Sequence, residues 1–182
     1  MRGTNLLAGA GLALALIAPG SLRAAVVETA PNGFAITETV HVKAAPDKVY
    51  QALLHPAAWW NSEHTFSGSA ANLALDAHAG GCLCESLPNG GSVLHLTVVF
   101  AQPGSTLRFR GPMGPFQSQG VDGALTFTLK AEPGGTLLTL DNTIGGYVKG
   151  GFGKWPAAAD AMLTDLVTRL ARYAETTQEK TP

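Results

Sequence analysis

Apolar and polar side chains alternate along much of the chain after residue 33. The first such stretch, Phe34 to Val42, predicts a strand. Further strands are predicted at residues 72–76, 82–87, 92–100, 107–110, 124–130 and 136–143. Short glycine- and proline-rich turns separate most of these segments, and connections of this hairpin type join antiparallel neighbours. The pattern therefore predicts an antiparallel sheet of six or seven strands.

Helical spacing replaces the alternation in three places. A short helix is predicted over residues 46–54, where Pro46 suits a first helical position, and a second short helix or turn at residues 57–61. Residues 156–173 carry apolar side chains on one helical face and polar ones on the other, which predicts a long amphipathic helix. The fold class is therefore α+β, with two short helices after the first strand and a long C-terminal helix.

The N-terminus has the layout of a secretory signal peptide. Arg2 precedes an apolar run from Leu6 to Ala18, and small residues follow at Ala24 and Ala25. This run is shorter than the roughly 17 residues that a membrane span needs. We expect cleavage near Ala24 or Ala25, a periplasmic or secreted product, and no stable membrane span after cleavage. The predicted division is a signal peptide at 1–25, a disordered lead at 26–33, one domain at 34–175 and a disordered tail at 176–182.

Composition narrows the possible classes of partner. The chain has 182 residues, of which 46% are hydrophobic and 14% charged, so it can bury a core and is too apolar to be disordered. Twelve Lys and Arg stand against 13 Asp and Glu, for a formal net charge of -1. The chain lacks the basic excess typical of nucleic-acid binding, and no nucleic-acid partner is expected.

Three local motifs, in order along the chain, resemble the SRPBCC superfamily. They are the helix start from Ala45 to Tyr50, the pair Trp59-Trp60, and the turn into a strand from Gly80 to Glu85. This superfamily includes START lipid-transfer domains, pollen-allergen-like proteins, polyketide cyclases and heat-shock ATPase activators. The resemblance covers about residues 34–175 and implies a helix-grip fold, in which a curved antiparallel sheet wraps the C-terminal helix and leaves a cavity. It implies no particular chemistry.

Three functional hypotheses follow from this resemblance. The first is an exported protein that binds a small hydrophobic, lipid- or polyketide-like ligand in the cavity, without a cofactor. The second is a cyclase- or hydrolase-type enzyme in the same cavity with His95 as acid or base, since an unperturbed histidine titrates near pH 6.5. The third is a module that binds a protein partner, as the ATPase activators do. The candidate ligand-binding residues are Trp59, Cys84, His95, Phe109, Tyr147, Phe152 and Trp155.

Cys82 and Cys84 allow several interpretations. A hairpin about Asn89-Gly90 pairs Cys84 with His95 and Cys82 with Thr97, all on one face. The cysteines and His95 could bind zinc or copper, although only three ligands are visible. Export favours a disulfide, but Cα atoms two apart on a regular strand lie about 6.5 to 7 Å apart, at the edge of the range for such a bond. The simplest interpretation is two buried thiols and a histidine that line a core or pocket.

Two further groups of residues bear on the cavity. The glycine-rich segment 145–153 lacks the phosphate-binding loop pattern and is either a mobile gate, with Tyr147, Phe152 and Trp155 as apolar contacts, or a plain connector. Residues 111–116 form a second loop that could contribute to the cavity mouth. The carboxylates, Glu85 included, show no paired spacing for acid and base roles, and we interpret them as solvated strand or turn residues.

Overall fold

The computed structural model describes residues 23–177, with side chains from residue 28 onward. The predicted signal peptide lies outside the described residues except for its last three, and residues 178–182 of the predicted tail lie outside them as well. Among the residues described, no helix combines the length and the apolar character needed to cross a membrane.

Eight antiparallel strands form one sheet in the order β1-β2-β8-β7-β6-β5-β4-β3. The strands are β1 (Arg23–Ala30), β2 (Gly33–Val42), β3 (Leu73–Leu75), β4 (Cys82–Ser86), β5 (Ser92–Gln102), β6 (Thr106–Arg110), β7 (Gly120–Glu132) and β8 (Gly135–Tyr147). The helices are α1 (Pro46–Leu53), α2 (Pro56–Trp59) and α3 (Trp155–Thr176). The α+β helix-grip prediction is confirmed, with one more strand than the sequence indicated.

The additional strand is β1, which occupies most of the segment predicted as a disordered lead. Pro31 and Asn32 form a tight turn, after which β2 runs back antiparallel to β1 from the pair Ala30 and Gly33. Pairing with β1 satisfies backbone groups along β2 that an edge strand would leave to solvent. The expectation of a disordered lead at 26–33 is thus corrected to a strand, a turn and the first residue of β2.

The core lies between the concave face of the sheet and α3. Ile36 on β2 and Leu138 and Leu140 on β8 are fully buried, as are Leu163 and Leu170 on α3. Because side chains alternate between the two faces of a strand, every second residue of β8 from Thr136 to Ile144 faces inward. Asn142 is one of these inward residues, a polar group within an otherwise mainly apolar series.

Candidate functional site

A cavity of about 430 Å³ lies between the sheet and α3. This volume is within the range of pockets that hold small molecules. Its apolar lining comes from four parts of the chain: the segment after α2, the loop before β7, β8 and α3. The apolar side chains are Trp60, Phe66, Met113, Pro115, Phe116, Ile144, Trp155, Ala158, Ala159, Met162 and Leu163. The polar side chains are Glu63, His64, Thr65, His95 and Asn142.

Aromatic rings form one wall of this cavity. The rings of Phe116 and Trp155 are tilted against each other with centroids 4.9 Å apart. Phe152 packs behind them, 6.3 Å from Phe116 and 5.7 Å from Phe34 between ring centroids. Contacts of this kind add to the free energy gained from burial alone, so the wall is a packed unit.

His95 reaches the cavity because strand β5 bulges at this residue. Leu83 on β4 pairs with Leu96 on β5, and the next residue, Cys84, pairs with Leu94. His95 is therefore the extra residue, and both His95 and Leu96 are buried. The predicted pairing of Cys84 with His95 is wrong because this bulge shifts the register by one residue, whereas the predicted pairing of Cys82 with Thr97 is confirmed.

Glu85 holds the His95 ring from the neighbouring strand. Glu85 Oε2 lies 2.8 Å from His95 Nε2, and both side chains are buried. The same carboxylate accepts hydrogen bonds from the backbone N–H of Phe66 at 3.0 Å and of Ser67 at 2.5 Å. Burial raises the pKa of Glu85, but the hydrogen bonds from Ser67, Phe66 and His95 outweigh it and lower the pKa to about 2. Glu85 is thus an ionised, buried group, contrary to the expectation of a solvated residue.

The ionised Glu85 fixes the tautomer of a neutral His95 ring. A carboxylate can only accept, so Nε2 carries the hydrogen, and Nδ1 keeps a free lone pair. Nδ1 has no hydrogen-bond partner among the described residues. A histidine with an oriented ring and a free basic nitrogen at a cavity wall can accept a proton from a bound molecule.

Asn142 presents a second polar group to the cavity. The residue is 8% exposed and lines the cavity, and none of the side-chain hydrogen bonds among the described residues involves its carboxamide. Asn142 lies on β8, and His95 lies on β5, so the strands β7 and β6 separate them along the sheet. The cavity therefore has polar groups on two different strands of the sheet, within a mainly apolar lining.

Residues 34–175 match the family described as polyketide cyclase / dehydrase and lipid transport. The chain belongs to this family. The assignment to the SRPBCC superfamily is thereby confirmed. No curated protein sequence matches the chain.

Solved structures resemble this member of the polyketide cyclase / dehydrase and lipid transport family over most of its length. Protein MLL2253 from Mesorhizobium loti is 18% identical with a TM-score of 0.57, and the match covers 79% of this chain and 98% of that one. DynU16, from the dynemicin biosynthetic locus, is 26% identical with a TM-score of 0.57 over 79% of this chain and 48% of its own. The ARO/CYC di-domain protein BexL is 16% identical with a TM-score of 0.56, and the match covers 86% of this chain and 53% of BexL.

The cysteines of this family member form a disulfide bond between Cys82 and Cys84. Their Cα atoms are 5.5 Å apart, closer than on a regular strand and well within the usual range. The interpretation as two free thiols is corrected by this bond. Leu83 and Glu85 are the buried residues of β4, so the disulfide lies on the opposite face of the strand. Among the described residues, no three His, Cys, Asp or Glu side chains are grouped so that they could hold a metal ion.

The structure places two of the seven predicted ligand-binding residues, His95 and Trp155, on the cavity wall. Trp59 is buried in the core, where its Nε1 donates to the carbonyl oxygen of Ala52 at 2.8 Å. Phe109 is also a core residue, and Phe152 supports the aromatic wall from behind. Tyr147 is 72% exposed, and Cys84 is in the disulfide on the other face of β4.

The glycine-rich segment before α3 is held at two points. Val148 and Phe152 are buried, and the positive φ angles of Gly150 and Gly151 between them allow the chain to turn. The loop at 111–116 contributes Met113, Gly114, Pro115 and Phe116 to the cavity lining.

Sequence reasoning missed Glu85, Asn142 and Trp60. Trp60 is adjacent to Trp59 in the sequence. Because neighbouring side chains point in different directions, the two tryptophans were not expected to share one environment. Asn142 could have been found as the polar residue within the alternating apolar series of the last strand. No local signal marks the bulge that brings Glu85 and His95 together.

Proposed function

We propose that this chain binds a small, largely apolar molecule in the cavity between the sheet and α3. One observation carries the proposal: the cavity of about 430 Å³ is lined mainly by apolar and aromatic side chains, with few polar groups on its inner surface. Pockets of this composition gain binding free energy from apolar burial and orientation from a few hydrogen bonds. The family description, which includes lipid transport, and the biosynthetic locus of DynU16 support a lipid- or polyketide-like ligand.

Blocking the cavity tests this proposal. Ala159 on α3 lines the cavity, and Ala161 on the same helix is exposed, so A159W and A161W are a matched pair. The neutral fluorescent probe phenylnaphthylamine should bind the wild-type protein and A161W with similar affinity. A159W should bind it at least about tenfold more weakly, because the indole occupies the space of the probe. Equal binding to A159W and A161W would place the probe elsewhere and contradict the proposal.

A second candidate function is acid–base catalysis in the same cavity. The observation that favours it is the buried hydrogen bond of 2.8 Å between Glu85 and His95, which leaves Nδ1 of the ring free. A base of this kind could remove a proton from a bound substrate, and Glu85 would stabilise the imidazolium that forms. His95 would be the catalytic residue, and Glu85 its positioning residue.

Nitrobenzisoxazole is a suitable neutral probe for a general base. A base removes its ring C–H proton, the N–O bond breaks, and a coloured nitrile phenolate forms. H95Q should lose about 100-fold or more of the protein-catalysed rate, and E85Q a smaller part of it. H78Q is the matched control, since His78 is exposed and lies outside the cavity. A rate that survives in H95Q, or that falls equally in H78Q, would exclude His95 as the base.

Export is a further part of the proposal. The disulfide supports it, because such bonds persist in oxidising compartments such as the periplasm. The intact mass of the protein purified from the periplasmic fraction tests both points in one measurement. Cleavage near Ala24 or Ala25 should remove the first 24 or 25 residues, and reduction should then add two hydrogen masses. A full-length product in the cytoplasm would contradict export.

A further inference from the structure

The Asn142 carboxamide lies on the cavity wall without a partner among the described residues. The residue is 8% exposed, and the inward residues on either side of it along β8, Leu140 and Ile144, are apolar. Among the described residues, the Asn142 carboxamide atoms are not among the fully buried side-chain atoms without a partner, so they are accessible from the open space of the cavity. An apolar side chain of similar size would fill this position without adding polar atoms that need a partner. The carboxamide is therefore available to hydrogen-bond a molecule that enters the cavity from outside the chain.

We propose that Asn142 is the polar anchor of the cavity and selects ligands that carry a carbonyl or hydroxyl oxygen over the corresponding hydrocarbons. The inference rests on the proposed binding function. The carboxamide N–H₂ donates to such an oxygen, and the carboxamide oxygen can accept from a hydroxyl. A ligand without these groups would leave the carboxamide desolvated and unpaired, which weakens its binding relative to the oxygenated compound.

His95 provides the second polar contact for the same ligand. Its Nδ1 is an acceptor in the tautomer that Glu85 fixes, so it suits a ligand hydroxyl that donates. Three strand spacings separate β8 from β5, about 14 Å along the sheet and less across its concave face. A ligand that contacts both groups is therefore elongated, with a polar group at each end and an apolar middle that suits the mainly apolar lining.

The charges around the cavity favour a neutral ligand. Among the described lining residues there is no lysine or arginine. The ionisable ones are Glu63 and His64, which are exposed, and His95, which Glu85 already contacts. A carboxylate or phosphate group would therefore find no lysine or arginine in this lining to pair with, and burial of an unpaired charge is costly. Fatty acids and phosphorylated lipids are thus disfavoured.

A pair of probes of similar size tests the anchor. Acetylnaphthol, with its hydroxyl and acetyl groups at opposite ends of the naphthalene, offers both polar contacts, and ethylnaphthalene offers none. Calorimetric titration gives the ratio of their affinities for the wild-type protein, N142L and N142A. T143L is the matched control, because Thr143 is the adjacent residue on the outward, exposed face of β8.

The wild-type protein and T143L should prefer acetylnaphthol by about tenfold or more. N142L should lose about tenfold of this preference. N142A should show the same loss, which would exclude a disturbance of the strand by leucine as the cause. A preference that persists in both variants would overturn the role of Asn142 while leaving the binding function intact. Binding of neither probe to the wild-type protein would instead overturn the binding function itself, and the anchor with it.

Discussion

Glu85 and His95 are joined by a hydrogen bond of 2.8 Å that a one-residue bulge makes possible. Without the bulge, successive residues of β5 would alternate between faces, and His95 and Leu96 could not both be buried. Glu85 also accepts hydrogen bonds from the backbone N–H groups of Phe66 and Ser67, so one carboxylate connects β4, β5 and the segment after α2 that contributes to the cavity lining.

Glu85 should make the stability of the protein depend on pH in acid. The pKa of Glu85 is about 2 in the folded protein, whereas its ordinary value is 4.5, so folding favours the ionised form. The resulting stabilisation is fully present above about pH 4.5 and is lost as the pH falls towards 2. The free energy of unfolding of wild type and E85Q can be measured by urea unfolding at pH 7 and pH 3. Wild type should be more stable than E85Q by about 2 to 3 kcal/mol at pH 7, and by less at pH 3. A difference that does not change with pH would contradict this assignment.

Glu38 should behave in the opposite way. Burial raises the pKa of Glu38, the hydrogen bond from Thr164 lowers it in part, and the nearby Asp160 carboxyl raises it further. Glu38 Oε2 and Asp160 Oδ1 are both buried and have no hydrogen-bond partner among residues 23–177, which the structure describes. The stability that Glu38 contributes is therefore complete below about pH 4.5 and is lost as the pH rises through the raised pKa.

E38Q removes this loss, since glutamine stays neutral and its amide can donate to Asp160. We expect E38Q to be about 1 to 2 kcal/mol more stable than wild type at pH 8, and the gain to shrink below pH 4.5. E28Q is the control, because Glu28 is exposed on β1. Thermal unfolding of both variants across this pH range is the measurement, and a destabilised E38Q at pH 8 would refute the argument.

The disulfide between Cys82 and Cys84 should stabilise the fold modestly and leave the cavity unchanged. It closes a very short loop, for which chain entropy gives about 1 to 2 kcal/mol. The double variant C82S/C84S should melt a few degrees lower than the oxidised wild type. Phenylnaphthylamine should bind both proteins equally, because the bond lies on the face of β4 away from Glu85. A loss of probe binding in the double variant would show that the bond positions Glu85 and His95.

Local sequence patterns were enough to predict most of the fold. The alternation in β2, β7 and β8 and the amphipathic face of α3 depend only on nearby residues, and each element was found within a few positions of its observed ends. Strand β1 was missed because its order depends on pairing with β2 along its whole length rather than on a strong pattern of its own.

The candidate site was harder to predict from the sequence than the fold, because it depends on strand pairing and on contacts between distant segments. His95 was identified as a chemical group, but its partner was not, because the bulge that brings Glu85 to it depends on how two strands pair. Cys82 and Cys84 were interpreted with ideal strand spacing, whereas their actual Cα separation is 5.5 Å. The wall residues of the cavity come from distant segments, and only the packing of α3 on the sheet brings them together.

The adjacent residues Trp59 and Trp60 should separate stability from binding. Trp59 is 5% exposed and donates to the carbonyl oxygen of Ala52, whereas Trp60 is half-buried on the cavity wall. W59F removes that hydrogen bond and part of a core side chain, so it should lower the free energy of unfolding by about 1 to 3 kcal/mol and leave probe binding unchanged. W60A should weaken phenylnaphthylamine binding by about tenfold, because it removes an aromatic surface from the wall. W60A should also lower the free energy of unfolding by less than the equivalent substitution W59A does, since Trp60 is less buried than Trp59. Urea unfolding and fluorescence titration of the variants check both parts, and a W59F protein that folds stably but loses the probe would assign the ligand contact to Trp59 instead.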